Sequence, residues 1–147
     1  MRKPPALELS DNHRRGISTT LSFLDEALCD FEQWARGREG RGVLYQERNT
    51  LSAGQREALL VEICEMRAIL RELRDALALE GETQYAAQAI WGRSSSLREH
   101  LVELEGKHLR RYGTPAAGLA EYLDPKVADL LRRLDRTSSI VSKDVDA

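Results

Sequence analysis

Apolar residues recur at helical intervals along most of the chain. Between residues 17 and 35 they are separated by alternating steps of four and three, the spacing that lines up side chains along one seam of a helix. This pattern predicts a first helix over 17–35, with Ser18 as its N-cap and Gly37 just beyond its end. The seam consists of Ile17, Leu21, Leu24, Leu28, Phe31 and Ala35.

The same alternation returns in a second segment. Ser52 and Gln55 have the spacing of a capping box, which predicts that a helix begins after Ser52. We expect this helix to end near Glu80 and Gly81. Its seam consists of Leu59, Ile63, Met66, Leu70, Leu73 and Leu77, and the stripe is widened by Leu60, Ile69 and Ala76, as expected of a helix with two neighbours.

A third helix is predicted from about Thr83 to Tyr112, with Ile90, Leu97, Leu101 and Leu104 in register. Its first half is rich in small residues, which leaves two interpretations open. The helix either packs closely against a neighbour or kinks at Gly92, with a new helix beginning at Leu97. We favour one helix with a weak point.

Two prolines define the last quarter of the chain. Thr114-Pro115 and Asp124-Pro125 each place proline directly after a residue that favours the N-cap, where its missing N–H is tolerated. These pairs predict a short helix over 115–122 and a longer one over 125–138.

Together the segments predict an all-α fold: an antiparallel four-helix bundle of three long heptad-patterned helices and a broken C-terminal helix. We expect one domain over 1–147, with a loose arm at 1–16, a linker containing Gly and Arg at 37–51, and a frayed tail at 139–147. The linker could cross the end of the bundle. It could equally let the first helix pair with a second chain in a coiled coil.

Composition narrows the classes of function. The chain of 147 residues is 41% hydrophobic and 31% charged, with a formal net charge of −2. Bulk charge therefore points neither to nucleic acid nor to an anionic membrane. No run approaches the roughly 18 apolar residues of a membrane span, and the N-terminal stretch lacks the apolar core of a secretory signal. We expect a cytoplasmic protein with no membrane partner, in which Cys29 and Cys64 are reduced, partly buried thiols.

Glu105 and His108 form one copy of the Glu-x-x-His pattern that helical di-metal proteins use. Such proteins need a second copy and further inward carboxylates, and the predicted seams contain neither. We therefore expect no metal, with Glu105 and His108 as the candidates should one bind. No catalytic residue and no cofactor motif is identified.

The linker contributes the candidate partner-binding residues. Arg36 and the three arginines of the linker, against two glutamates, give residues 36–51 a charge of +2, and flexible basic segments can bind phosphates. Trp34 and Tyr45 could stack on a base or on a partner. The basic loop could also lie against the acidic first helix. The candidates are Arg36, Arg38, Arg41, Trp34 and Tyr45.

These observations favour a non-enzymatic interaction or scaffold protein that self-associates, or that binds another helical protein, through its leucine-rich seams. One alternative is a module that binds nucleic acid or anionic ligands through the basic linker. Another is a bundle that binds a metal or small molecule near His108.

Overall fold

The computed structural model describes residues 7–144, with side chains through residue 142. Four α-helices and one 3₁₀ helix account for most of this range, and the predicted all-α class is confirmed. Within it there is no strand, only an isolated antiparallel bridge between Arg41 and Gln46. The elements are α1 (Asp11–Ala35), α2 (Ala53–Leu77), α3 (Ala86–Val102), the 3₁₀ helix (Gly106–Tyr112) and α4 (Leu119–Asp144).

The contacts of the chain fall into two units that meet between Glu82 and Thr83. In the first unit α1 packs against α2, and in the second α3 and the 3₁₀ helix pack against α4. We call these the first hairpin and the second hairpin. A four-helix bundle and a single domain over 1–147 both stay predictions.

The first hairpin is antiparallel, because residues early in α1 meet residues late in α2. Ser18 Oγ donates a hydrogen bond of 2.9 Å to the carbonyl oxygen of Glu80, and Arg67 forms an ion pair with Glu32. Leu28 and Ala35 of α1 and Ile63 of α2 are buried where the two helices pack.

The predicted seams of the first hairpin divide into two sets. Leu21, Leu28 and Ala35 lie seven residues apart and are at least half-buried, as are Ile63, Leu70 and Leu77 of α2. Leu24 and Phe31 belong to the same predicted seam but are 37% and 44% exposed. One half of each heptad therefore joins α1 to α2, and the other half turns to the side of the hairpin.

The second hairpin follows the same arrangement. Arg98 of α3 binds Asp135 of α4 with Nη1 and Oδ1 2.6 Å apart, and the Gly106 N–H donates to Asp124 Oδ1 at 2.8 Å. The partners' order in the chain shows that α3 and α4 are antiparallel. Ser94 and Val127 are buried between the helices, whereas Leu97 and Leu130 are 50% and 51% exposed.

The start of α1 differs from the sequence prediction. Ser10 is the N-cap, and its hydroxyl accepts a hydrogen bond from the backbone N–H of His13. The prediction of Ser18 as the N-cap was wrong, because its hydroxyl instead donates a hydrogen bond to the carbonyl oxygen of Glu80, three residues beyond the end of α2. Residues 11–16 of the predicted arm are therefore helical, and residues 1–6 lie outside the described range.

The start of α2 is as predicted. Ser52 Oγ accepts from the Gln55 N–H at 3.1 Å, and Gln55 Oε1 accepts from the Ser52 N–H at 2.9 Å. This reciprocal pair confirms the capping box. The helix ends at Leu77, since Ala78 adopts a left-handed conformation with φ of 50°.

α3 passes through Gly92 and Leu97 without interruption, so the favoured single helix holds there. Its predicted end near Tyr112 was wrong, because the α-helix stops at Val102 and a 3₁₀ helix follows a turn. The cause lies at Gly106: its N–H is taken by Asp124, and a Cβ there would lie 2.7 Å from the Cβ of Ala120. At Gly106 the chain lies so close to α4 that the residues after Val102 do not continue the α-helix of α3.

The two predicted C-terminal helices are one. Residues 115–118 are not helical, and α4 runs from Leu119 to Asp144 with Pro125 inside it. The predicted break at Asp124 was wrong because its carboxylate binds Gly106 and not the N–H groups of its own helix. The predicted tail is thus helical as far as residue 144, and residues 145–147 lie outside the described range.

The close approach at Gly106 gives a test of the second hairpin. Gly106→Ala should destabilise the protein by about 1–3 kcal/mol, because the new methyl group overlaps Ala120 and displaces the Asp124 contact. Urea unfolding followed by circular dichroism measures this change.

Gly92→Ala is the matched control. Gly92 is also flanked by helical structure, but a Cβ there would meet nothing within 4 Å. This variant should be more stable by about 0.5–1 kcal/mol, since alanine is the better helix former. Equal effects of the two variants would contradict the packing described at Gly106.

Candidate functional site

The segment between α1 and α2, predicted as a linker, folds around one carboxylate. Glu47 accepts hydrogen bonds from the Trp34 indole N–H, from the Tyr45 hydroxyl at 3.0 Å and from Arg38 Nη2 at 3.2 Å. Its side chain is only 12% exposed. Three of the five candidate partner-binding residues therefore converge on a residue that was not among the candidates.

Backbone hydrogen bonds close the loop above this carboxylate. The Glu47 N–H donates to the Gly40 carbonyl at 2.8 Å, and the Gly42 N–H donates to the Tyr45 carbonyl at 2.7 Å. Gly40 leaves room for the carboxylate, because a Cβ there would lie 2.6 Å from Glu47 Oε1. Val43 and Leu44 are fully exposed at the tip.

Asn49 fixes the other side of the loop. Its Nδ2 donates to the carbonyl oxygens of Trp34 and Arg38 at 2.7 and 3.0 Å, and its backbone N–H donates to Glu39 Oε2 at 3.0 Å. Trp34 lies in the last turn of α1, and Arg38 follows the end of that helix by three residues. The loop is thereby attached to α1 as well as to itself.

Two arginines of the loop, Arg36 and Arg38, are engaged with carboxylates. Arg38 lies 3.6 Å from Asp30, and its guanidinium carbon is 5.5 Å from the centroid of the Trp34 ring. Arg36 lies 3.5 Å from Glu32. Arg41 is exposed, and its backbone forms the bridge to Gln46. The basic loop thus lies against the acidic α1 of its own chain, the internal use that the sequence allowed.

The donors around Glu47 lower its pKa from the ordinary value of 4.5, and the Trp34 hydrogen bond is the largest cause. The hydrogen bond between the Tyr45 hydroxyl and Glu47 raises the pKa of Tyr45 above its ordinary value of 10.0, because the ionised Glu47 favours retention of the hydroxyl proton. Arg67 lowers the pKa of Glu32 in a similar way. These shifts have structural causes, and no catalytic acid or base is implied by them.

Glu105 and His108 do not share an α-helical face. Glu105 is the residue before the 3₁₀ helix and His108 lies within it, because α3 has already ended. Glu105 Oε2 is 3.8 Å from Lys107 Nζ. Among residues 7–144, no three His, Cys, Asp or Glu side chains are grouped so that they could hold a metal ion.

The two cysteines are exposed, so the prediction of partly buried thiols was wrong. Both lie one residue after a buried or half-buried seam position, and the helices turn them toward solvent.

Each hairpin presents an apolar surface. The sequence alone could not distinguish its residues from the apolar residues that join the two helices. On the first hairpin it consists of Phe23, Leu24 and Phe31 from α1 and Leu59, Met66, Ile69 and Leu73 from α2, which we call apolar face 1. Phe23 and Ile69 are 67% and 55% exposed. The Glu32–Arg67 ion pair lies on the opposite side of the same hairpin.

Helical geometry places these residues on one side. At 100° per residue, the residues of apolar face 1 are rotated about the helix axis away from the positions that join the helices. The direction of this rotation, viewed from the N-terminus, is the same in α1 and α2. In an antiparallel pair these sides coincide. The same relation holds on the second hairpin for Ile90 and Leu97 of α3 and Leu123 and Leu130 of α4, which we call apolar face 2.

Among the described residues, no helix combines the length and apolarity needed to cross a membrane. Comparison of the chain with family models, with curated proteins and with solved structures finds no match. Its function must therefore be inferred from its own contacts.

The Glu47 contacts predict a pH dependence of the loop. Because the folded state lowers the pKa of Glu47, ionised Glu47 stabilises the loop above pH 4.5, and this contribution is lost as the pH falls through the lowered value. The indole N–H resonance of Trp34 should keep its position above pH 4.5 and move toward that of a free indole below it. Proton–nitrogen NMR measures this shift.

Glu47→Gln should move the same resonance at neutral pH, because the indole then donates to a neutral amide. Glu57→Gln, at an exposed position on α2, is the control and should leave it in place. An unchanged Trp34 resonance in Glu47→Gln would show that the carboxylate does not hold the indole.

Proposed function

We propose that this protein is a non-enzymatic interaction or scaffold protein that self-associates or binds partner helices through apolar faces 1 and 2. In the bound state each hairpin supplies two helices of an antiparallel four-helix bundle, and the covering helices come from the partner. The exposed heptad positions on one side of each hairpin support this proposal.

The main support for this proposal is that one apolar position of each heptad is covered by the neighbouring helix while the other stays partly exposed. Leu24 and Phe31, and likewise Leu59, Met66 and Leu73, repeat every seven residues beside the positions that join α1 to α2. In a two-stranded coiled coil, the a and d lines of each helix both face the partner. Here the second line of α1 is still 37% and 44% exposed at Leu24 and Phe31. A line that the neighbouring helix leaves exposed is available to a further helix, as in a bundle.

The energetic reason is the size of the exposed side chains. Covering a leucine, isoleucine or phenylalanine side chain contributes roughly 1.5–3 kcal/mol. Leu24, Phe31 and Leu59 are already partly covered, so each would contribute less than this. Several such residues lie together on one side of each hairpin, and grouped apolar exposure is a feature of interaction sites.

Ion pairs bridge the helices on the opposite side of each hairpin: Glu32–Arg67 on the first and Arg98–Asp135 on the second. On the second hairpin Trp91 also lies on this side, seven residues before Arg98, and is 54% exposed. We assign recognition to the apolar faces because each of them combines apolar side chains from both helices of its hairpin.

The alternatives from the sequence have less support. Binding of nucleic acid or anionic ligands by the loop remains a prediction, and it would compete with the ion pairs of Arg36 and Arg38. Binding of a metal or small molecule near His108 also remains a prediction. Glu105 and His108 lack the shared α-helical face on which it was based.

Ile69→Glu should weaken self-association or partner binding by at least about tenfold, since it places a charge where an apolar side chain is to be covered. Val61→Glu is a matched control, because both residues are β-branched, both lie on α2 and they are 55% and 58% exposed. Val61 points away from α1, outside apolar face 1. Sedimentation equilibrium across a range of concentrations measures the association constant.

Two results would contradict the proposal. Equal effects of Ile69→Glu and Val61→Glu would show that apolar face 1 has no special role. If wild-type protein stays monomeric and Ile69→Glu only lowers the free energy of unfolding, the face is covered within a single chain.

A further inference from the structure

The charged residues that border the two apolar faces differ in sign. On the first hairpin, Glu62 and Glu65 of α2 and Glu26 of α1 lie one helical turn from side chains of apolar face 1, and Asp30 directly precedes Phe31. All four are exposed. Apolar face 1 therefore has an acidic border.

The border of apolar face 2 is basic. Arg93 lies between Ile90 and Leu97 along α3, three residues after the first and four before the second. On α4, Lys126 has the same relation to Leu123 and Leu130, and Arg133 follows Leu130 by three residues. All three side chains are exposed.

The exceptions are few and do not reverse either sign. Arg15 lies near the outer end of apolar face 1, two turns before Phe23. Asp129 lies near apolar face 2 but already binds Arg132 of its own helix. Asp30 is 3.6 Å from Arg38, so Glu26, Glu62 and Glu65 are the acidic residues with most freedom to meet a partner.

We propose that apolar face 1 of one chain docks on apolar face 2 of a second copy of the same chain, and that the contact is made reciprocally. This inference rests on the proposed function and names its partner. An acidic border meets a basic border in this arrangement, whereas apolar face 1 against itself would bring like charges together.

A reciprocal contact uses both faces of each chain. Each copy carries one acidic-bordered and one basic-bordered face, and each face includes large exposed apolar side chains. The reciprocal contact would cover all four faces of two copies, whereas a one-sided contact would leave one face of each copy exposed. Each covered pair of faces forms one antiparallel four-helix bundle from two chains.

Charge reversal tests the pairing directly. The first variant is Glu62→Lys with Glu65→Lys, which makes the α2 border basic. The second is Lys126→Glu with Arg133→Glu, which makes the α4 border acidic. Each variant alone should self-associate at least about tenfold more weakly than wild type, because both of its contacts bring like charges together.

An equimolar mixture of the two variants should recover association as a heterodimer. In that pair, the lysines on the first variant meet the glutamates on the second, and the unchanged faces meet as in wild type. Native mass spectrometry separates homodimers from heterodimers when one variant is isotopically labelled.

Glu57→Lys with Asp75→Lys is the matched control. It makes the same change in charge on the same helix, at exposed positions away from apolar face 1. This control should self-associate nearly as wild type does, and circular dichroism should show all three double variants to be folded.

The outcomes separate this inference from the proposed function. If the α4 variant alone associates as wild type does, apolar face 1 pairs with itself and the reciprocal contact is wrong. If Ile69→Glu weakens association while neither charge variant does, interaction through the apolar faces stands and the pairing proposed here falls. A mixture that does not recover association also overturns it, and a wild-type chain that is monomeric at every concentration removes its basis.

Discussion

The arrangement of this protein depends on the limited amount of surface that two helices can cover for each other. In these hairpins the buried side chains are Leu28, Ala35 and Ile63 in the first hairpin and Ser94 and Val127 in the second. The helices carry a second apolar line with a period of seven residues, and this line stays partly exposed. We assign recognition to this exposed apolar line, and we infer the partner from the signs of the charged residues beside it.

The loop between α1 and α2 obeys a different constraint, the satisfaction of a partly buried carboxylate. Glu47 is surrounded by an indole, a phenol and a guanidinium, and Asn49 occupies carbonyl groups at the end of α1. Residues that look like a basic, aromatic binding segment in the sequence are instead bound to one another. Their role in the folded chain is to fix the connection at one end of the first hairpin.

The heptad spacing of apolar residues and the capping residues made much of the helical structure predictable from the sequence. The other helix boundaries depend on tertiary contacts. The seams of α1 and α2 and the Ser52 capping box follow from local spacing. The end of α3 and the continuity of α4 through Pro125 do not, because both depend on Asp124 binding a residue 18 positions away. For the same reason Glu47 could not be identified, since a glutamate in a loop has no sequence signature of burial. The heptads did predict both apolar lines, but spacing alone cannot say which line is covered by the neighbouring helix.

The antiparallel hairpin has a consequence for how the chain reaches its folded state. The Glu32–Arg67 and Arg98–Asp135 contacts join residues 35 and 37 positions apart, and both lie within one hairpin. Closing loops of this length costs little entropy, and helical proteins dominated by local contacts fold in microseconds to milliseconds. Each hairpin can therefore form soon after its own residues have been synthesised, before the other hairpin exists. The exposed apolar lines would then be present from that moment.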